Sequence, residues 1–322
     1  MSGVARGVKA IFQLRGKPWL WSFIGALVVW LLAVGVAHGQ GAGGMLSAAL
    51  AFSVFTVLVG MGQMFVITLG PGNIDLSLPA NIGLSGAVAM TVMGEHDGRI
   101  LIGLLAAVVV GGLVGVFNYA LIRLLRIPPI IATLAASFIF VSVGISYGRG
   151  LQITPPPAFG HFTVLRIWGV PVLAVATLVL TVLAAILLNR TIYGRSVLAT
   201  GQNMRAARLA GVKVERVRFL TYLLCAALGG LAGALLAGFT GGSSLDMGAE
   251  YLLSSIAVVV IGGTSVAGGA ANLPGIWGAS LFLFMVVTLL NTAGFGAGIR
   301  DVLTGLIIIA VITIAGGRRR LR

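Results

Sequence analysis

Long apolar runs dominate this chain, with little of the two-residue alternation of strands or the single stripe of a surface helix. Breaking them at charges and Gly/Pro clusters gives ten stretches near the length that crosses the roughly 30 Å hydrocarbon core of a bilayer as an α-helix. They cover roughly residues 19–37, 45–69, 77–93, 100–122, 130–147, 169–189, 218–239, 251–266, 274–293 and 299–316. The pattern predicts an all-α polytopic membrane protein of about ten transmembrane helices, one transmembrane domain over residues 1–322. The first stretch follows a basic start but spans a full bilayer and lacks a small-residue cleavage site, so it reads as a retained span.

Composition agrees. The 322 residues are 58% hydrophobic and 9% charged, too little charge to solvate a globular surface. The formal net charge of +14 does not point to nucleic acid, because the basic residues sit between apolar runs rather than along one face. Their placement is instead a topology signal. Of 21 Lys and Arg, only Arg99, Arg149, Arg166 and Arg300 fall on one side of a ten-span chain. The others, including Arg6, Lys9, Arg15, Lys17, Arg123, Arg126, Arg318, Arg319, Arg320, Arg322 and those between Arg190 and Arg218, fall on the other. Cytoplasmic flanks carry such an excess, so both termini are expected in the cytoplasm. Glu95, Asp97, Asp246, Glu250 and Asp301 then belong to the outer side, where the long loop 148–168 holds the turn-forming Pro155, Pro156 and Pro157. Gly111 with Gly115 and Gly229 with Gly233 have the spacing that lets membrane helices approach closely.

Chemistry of the catalytic kind is missing. Cys225 is the single cysteine, His38, His96 and His161 are scattered through loops, and no nucleophile-elbow, zinc-protease or phosphate-loop pattern occurs. The chain reads as a non-enzyme with no cofactor and no metal site; if ATP drives it, another chain binds the nucleotide.

Two segments invite a functional reading. The connection from Leu69 to Ser77 is too short to extend far into water, and Gly70, Pro71 and Gly72 interrupt helical hydrogen bonding within it. Asp75 or Ser77 is placed to cap the following helix. Alternatively, Asn73, Asp75 and Ser77 belong to a broken helix lining a translocation path. The second segment is the cytoplasmic loop 190–217, longer than a reversal between neighbouring spans needs. Asn203 can cap a short helix there, Ala206 and Ala207 favour helix and permit close approach, and Gly211 suits its end. A positive-inside loop accounts for the charge, whereas partner docking accounts also for the length and the glycine-bounded helix.

These residues resemble those of bacterial ABC-importer permeases of the ribose type, in the group that includes branched-chain amino-acid permeases. GNIDLS at Gly72–Ser77 is similar to the family's GGIDLS. GQNMRAARLAGV at Gly201–Val212 is similar to its Gly-x-Asn-x-x-Ala-Ala-x-x-x-Gly loop, and AVVVIGGTSVAGG at Ala257–Gly269 to its AAVVLGGTSLAGG. IPPIIAT at Ile127–Thr133 and YLLCAALGGLAG at Tyr222–Gly233 add support. The resemblance implies a permease of the bacterial inner membrane with a second permease subunit, the same chain or a paralogue. It also implies two cytoplasmic ATPase subunits, an extracytoplasmic sugar-binding protein and a sugar substrate. It further implies a coupling helix in the loop between the sixth and seventh spans, carried here by Gly201, Asn203, Ala206, Ala207 and Gly211. Arg205 and Arg208 are candidates for pairing with the ATPase. Asn73 replaces the family's usual glycine, and Leu78, Pro79 and Ala80 replace its Val-Gly-Ser. The competing classes are a standalone ten-span drug/metabolite carrier, which would need no such loop, and a membrane scaffold, which would need no broken helix.

Overall fold

A computed structural model describes residues 18–148 and 154–316. Arg6, Lys9, Arg15, Lys17, Arg149, Arg318, Arg319, Arg320 and Arg322 lie outside the described residues, so that part of the charge pattern is carried by sequence alone.

The chain runs through α1 (Pro18–Val36), α2 (Ala42–Thr68), α3 (Leu78–Met93), α4 (Ile100–Leu124), α5 (Pro129–Gly148) and the short α6 (Pro157–Val164). A two-residue hairpin, β1 (Arg166–Ile167) with β2 (Val170–Pro171), leads into α7 (Val172–Arg190). Then follow α8 (Ile192–Gln202), α9 (Met204–Leu209), α10 (Val214–Thr240), α11 (Tyr251–Ile261), α12 (Leu273–Thr292) and α13 (Ala297–Gly316). Among the described residues, seven helices are long and apolar enough to cross a membrane: α1, α2, α4 with the turn before it, α5, α7, α10 and α12. The protein is an all-α polytopic membrane protein.

Two expected spans are shorter than a bilayer. α3 has 16 residues and α11 has 11, about 24 and 16 Å at 1.5 Å per residue. The apolar run at 251–266 leaves the helix after Ile261, where Gly262 and Gly263 follow and Gly263 takes a φ of 92° that branched residues avoid.

Helix α2 is the centre of the bundle. Its 27 residues are apolar on every side, and every residue from Val57 to Thr68 is buried, as expected of a helix enclosed all round. α7, α10, α11 and α12 pack around it. α4 by contrast leaves Leu101, Ile102, Leu105, Val109 and Leu113 exposed, the apolar face that lipid would cover.

Both small-residue pairs lie at helix contacts. A Cβ on Gly111 would overlap the Ala226 carbonyl of α10, and one on Gly115 would come within 2.9 Å of the Leu223 Cα. Gly229 faces Leu78 and Asn81 of α3, and Gly233 faces Ile82. α10 is thereby wedged between α3 and α4.

The segment 241–250, expected as part of an outer loop, turns back into the bundle. Gly248 packs against the Pro79 backbone in the first turn of α3, with Pro79 Cα 2.8 Å from a Cβ built on the glycine.

Candidate functional site

The two segments singled out in the sequence meet at the basic end of the bundle. The break 69–77 leaves α2 through Gly70 (φ 124°) and Gly72 (φ 78°), conformations that suit glycine. Asn73, Asp75 and Ser77 all point inward, at 6%, 1% and 0% exposure. Asp75 Oδ1 accepts the Ser77 amide at 2.9 Å and the Ser77 hydroxyl at 2.6 Å. Asn118 of α4 donates to Ser77 Oγ at 2.7 Å and lies 3.3 and 3.4 Å from the two carboxylate oxygens. The Asp75 amide donates to Gln63 Oε1 of α2, and Thr133 Oγ1 of α5 accepts the Leu76 amide at 3.0 Å. Tyr222 of α10 donates to Asn73 Oδ1 at 3.3 Å. Four helices thus meet on one buried polar knot. Ser77 occupies the cap position of α3 without accepting from its N–H groups; Asp75 organises the turn before the helix instead.

Gln63, Asn118, Thr133 and Tyr222 escape a reading that looks only for ionisable groups in the spans. Their signal was present as amides and hydroxyls inside apolar runs, where an unpaired polar group is costly.

The loop 190–217 is built of two helices. The Thr191 hydroxyl accepts from the Gly194 amide to cap α8, and Asn203 Oδ1 accepts from the Ala206 amide at 3.0 Å to cap α9. After α9, Gly211 (φ 84°) reverses the chain, and the Val212 amide returns to the Ala207 carbonyl at 3.0 Å. α9 separates the two alanines: Ala207 is buried at 4%, whereas Arg205, Ala206 and Arg208 are exposed. Beside them Leu209 is 90% exposed, an apolar side chain that charge and spacing did not single out. Arg208 reaches Glu215 at 3.1 Å, which also faces Arg123 at 3.7 Å and Arg218 at 3.8 Å. One carboxylate among three guanidinium groups leaves this end strongly positive.

Gly201 joins the two segments. A Cβ there would overlap both the Thr68 carbonyl oxygen at the end of α2 and the Gly269 amide nitrogen. Those two atoms are hydrogen-bonded to each other at 2.9 Å. Gln202 Nε2 donates to the Gly269 carbonyl at 3.3 Å. Gly268 (φ 86°) sits against Gly70 so closely that a Cβ would overlap its Cα. Three segments, the end of α2, the end of α8 and the loop 262–272, therefore meet backbone to backbone at Gly70, Gly201, Gly268 and Gly269, with the Gln202 side chain bonded alongside. The GGTSVAGG stretch, matched in the sequence without a role, supplies the third.

Residues 45–312 match the family model described as branched-chain amino acid transport system / permease component. The chain is 28% identical over 310 residues to the autoinducer 2 import system permease protein LsrD of Photorhabdus laumondii, covering 92% of each chain. It is 31% identical over 271 residues to the corresponding LsrC of an Enterobacter species, covering 84% of this chain and 78% of that one. An LsrD of Yersinia enterocolitica is 31% identical over 248 residues, 75% of each. No solved structure matches. With most of its length matched, the chain belongs to the permease family of branched-chain amino-acid transport systems, the multi-pass inner-membrane component of ABC importers and a transport subunit rather than an enzyme.

Proposed function

We propose that this permease carries a small sugar-type solute inward, driven by ATP hydrolysis on separate chains. Relatives named for autoinducer 2 import put that compound first among substrates to try, beside pentoses and hexoses. The proposed assembly pairs the chain with a second permease subunit, two cytoplasmic ATPase subunits and an extracytoplasmic sugar-binding protein. In this reading the chain is one domain, residues 1–322, crossing the membrane ten times with both termini in the cytoplasm. α3 and α11 complete their crossings with non-helical segments.

The observation that carries the proposal is the seating of α9. Its exposed side presents Arg205, Ala206, Arg208 and Leu209, while Gly201 and Gln202, just before it, lie in backbone contact with α2 and the loop 262–272. An ATPase cleft that moves α9 therefore pushes on the end of the central helix without intervening side chains to absorb the displacement. The knot formed by Asn73, Asp75 and Ser77 with Asn118 and Tyr222 lies directly beyond, linking α2, α4, α5 and α10. In this role those three residues transmit motion between helices that bound the path, and the closed knot accounts for their burial. Such packed elements shift between discrete arrangements rather than deforming smoothly.

Co-expression with an ATPase and a sugar-binding protein of this importer class from the same organism, followed by reconstitution in liposomes, tests the proposal. Uptake of labelled autoinducer 2 or ribose that requires ATP and the binding protein supports it. Nucleotide-independent uptake by the chain alone would instead identify a standalone carrier.

A further inference from the structure

Helix α11 begins in the interior of the bundle. Asn81 of α3 donates to the Ala226 carbonyl at 2.7 Å, and Ala226 is near the midpoint of the 27-residue α10, a helix about 40 Å long. Pro79, half a turn before Asn81, is the backbone on which Gly248 rests. Higher along α3, the Leu245 carbonyl lies 2.8 Å from a Cβ built on Gly83, and Met247 fills the space beside Gly86. The Leu245 side chain touches Gly144 and Gly148 at the far end of α5. Residues 241–250 thus leave α10 at the end away from the basic loops and descend between α3 and α5 to mid-depth. From there α11 covers the remaining distance.

This descending segment is irregular, held by turn bonds such as Met247 to Ser244 and Ala249 to Asp246. Its other side is open: Ser244, Asp246, Ala249 and Glu250 are exposed. Ser244 Oγ donates to Asp246 Oδ1 at 2.7 Å, while the Glu250 carboxylate makes no hydrogen bond or ion pair among the described residues. Irregular backbone at membrane depth is tolerated only against protein or water, and a free carboxylate there is strongly disfavoured in lipid. No described residue of this chain covers that open side, which an aqueous space solvates and lipid does not.

We propose that residues 244–250 form a wall of the solute path and that Glu250 is a specificity-determining residue, accepting hydrogen bonds from the hydroxyl groups of a neutral polyhydroxylated solute. Depth and openness mark this segment out, not its number of acidic groups. The choice of solute class rests on the importer reading above; the position of the path does not. Glu250 stands where the path is deepest, at the start of a half-length helix, and its acceptor oxygens are uncommitted.

Thiol accessibility in the reconstituted full chain separates these points. In a Cys225→Ala background, Ala249→Cys and Glu250→Cys are expected to react with a charged, membrane-impermeant methanethiosulfonate. Val109→Cys, on the lipid-facing side of α4, is expected to react only with a lipid-soluble maleimide. Should Glu250→Cys fail to insert, Ala249→Cys carries the test. If both introduced thiols resist the charged reagent and take only the maleimide, the wall faces lipid and the proposal is overturned. In the complex with its ATPases and binding protein, Glu250→Gln should lower uptake of labelled ribose or autoinducer 2 at sub-saturating concentration about tenfold, while ATPase association stays intact. Unchanged uptake removes the specificity role. A wild-type complex without ATP-driven uptake, yet with reactive thiols, would overturn the importer reading and the solute assignment while leaving the aqueous wall in place.

Discussion

Gly201→Ala is the most exacting test of the backbone joint. The added methyl overlaps the Thr68 carbonyl oxygen and the Gly269 amide nitrogen, two atoms bonded to each other at 2.9 Å. Relief requires α8 to move off α2 or that bond to open. Overpacking of this kind costs about 1–3 kcal/mol, and a lost hydrogen bond adds roughly 0.5–1.5 kcal/mol. Alanine's better helix propensity opposes this by at most about 1 kcal/mol, less here because Gly201 is the last residue but one of α8. The expected net is a destabilisation of about 1–3 kcal/mol, opposite in sign to propensity alone. Gly35→Ala serves as the control, since no described residue lies within 4 Å of a Cβ built there in α1. Thermal unfolding in detergent should place Gly201→Ala below wild type and Gly35→Ala at or above it. ATP-driven uptake by the assembled complex should fall for the first alone. A Gly201→Ala protein as stable as wild type, with unchanged uptake, refutes the joint.

At the polar knot, Asn118→Ala removes the donor to Ser77 and Asp75 and should destabilise by about 1–3 kcal/mol, whereas Asp75→Asn, which keeps an acceptor for Ser77, should cost less; equal melting temperatures for the two would contradict this order. In α9, Ala206→Trp should abolish ATPase co-purification without lowering the melting temperature, while Ala207→Trp, placed in the packed side, should lower the melting temperature first; identical behaviour would mean that the exposed side is not the docking side. At the contact between α4 and α10, Gly111→Ala should destabilise by about 1–3 kcal/mol because its Cβ meets backbone rather than a flexible side chain, and calorimetric neutrality would show that these helices separate freely.

Run length carried the long helices because bilayer thickness fixes how many apolar residues a span needs. The capped α9 was equally readable, since Asn203 and Gly211 act on their own neighbours. α11 was not, because apolar residues continue through Gly262 and hydropathy does not record where a helix ends or that residues 241–250 descend with it. The contacts of Gly201, Gly268 and Gly70 are tertiary, so their sequence shows small residues without saying what lies against them. Asp75 was visible as a lone acid, but its environment depended on Gln63, Asn118 and Thr133, each in a different apolar run. α8 was hidden for a simpler reason: the glycine brackets drew attention to 201–211, and the Thr191 cap lies outside them.

The enclosure of α2 bears on how the protein is made. Most of its neighbours, α7 and α10 to α12, come from residues 172–292, so this second helix enters the membrane well before the chain that will surround it. An amphipathic helix would wait there with a polar face against lipid. α2 carries one amide, Gln63, and otherwise apolar or small hydroxylated side chains on every side, so it is stable both as a solitary lipid-solvated helix and as a core. Helix-by-helix insertion followed by lateral packing is then open to a protein whose innermost helix is synthesised before most of the helices that enclose it.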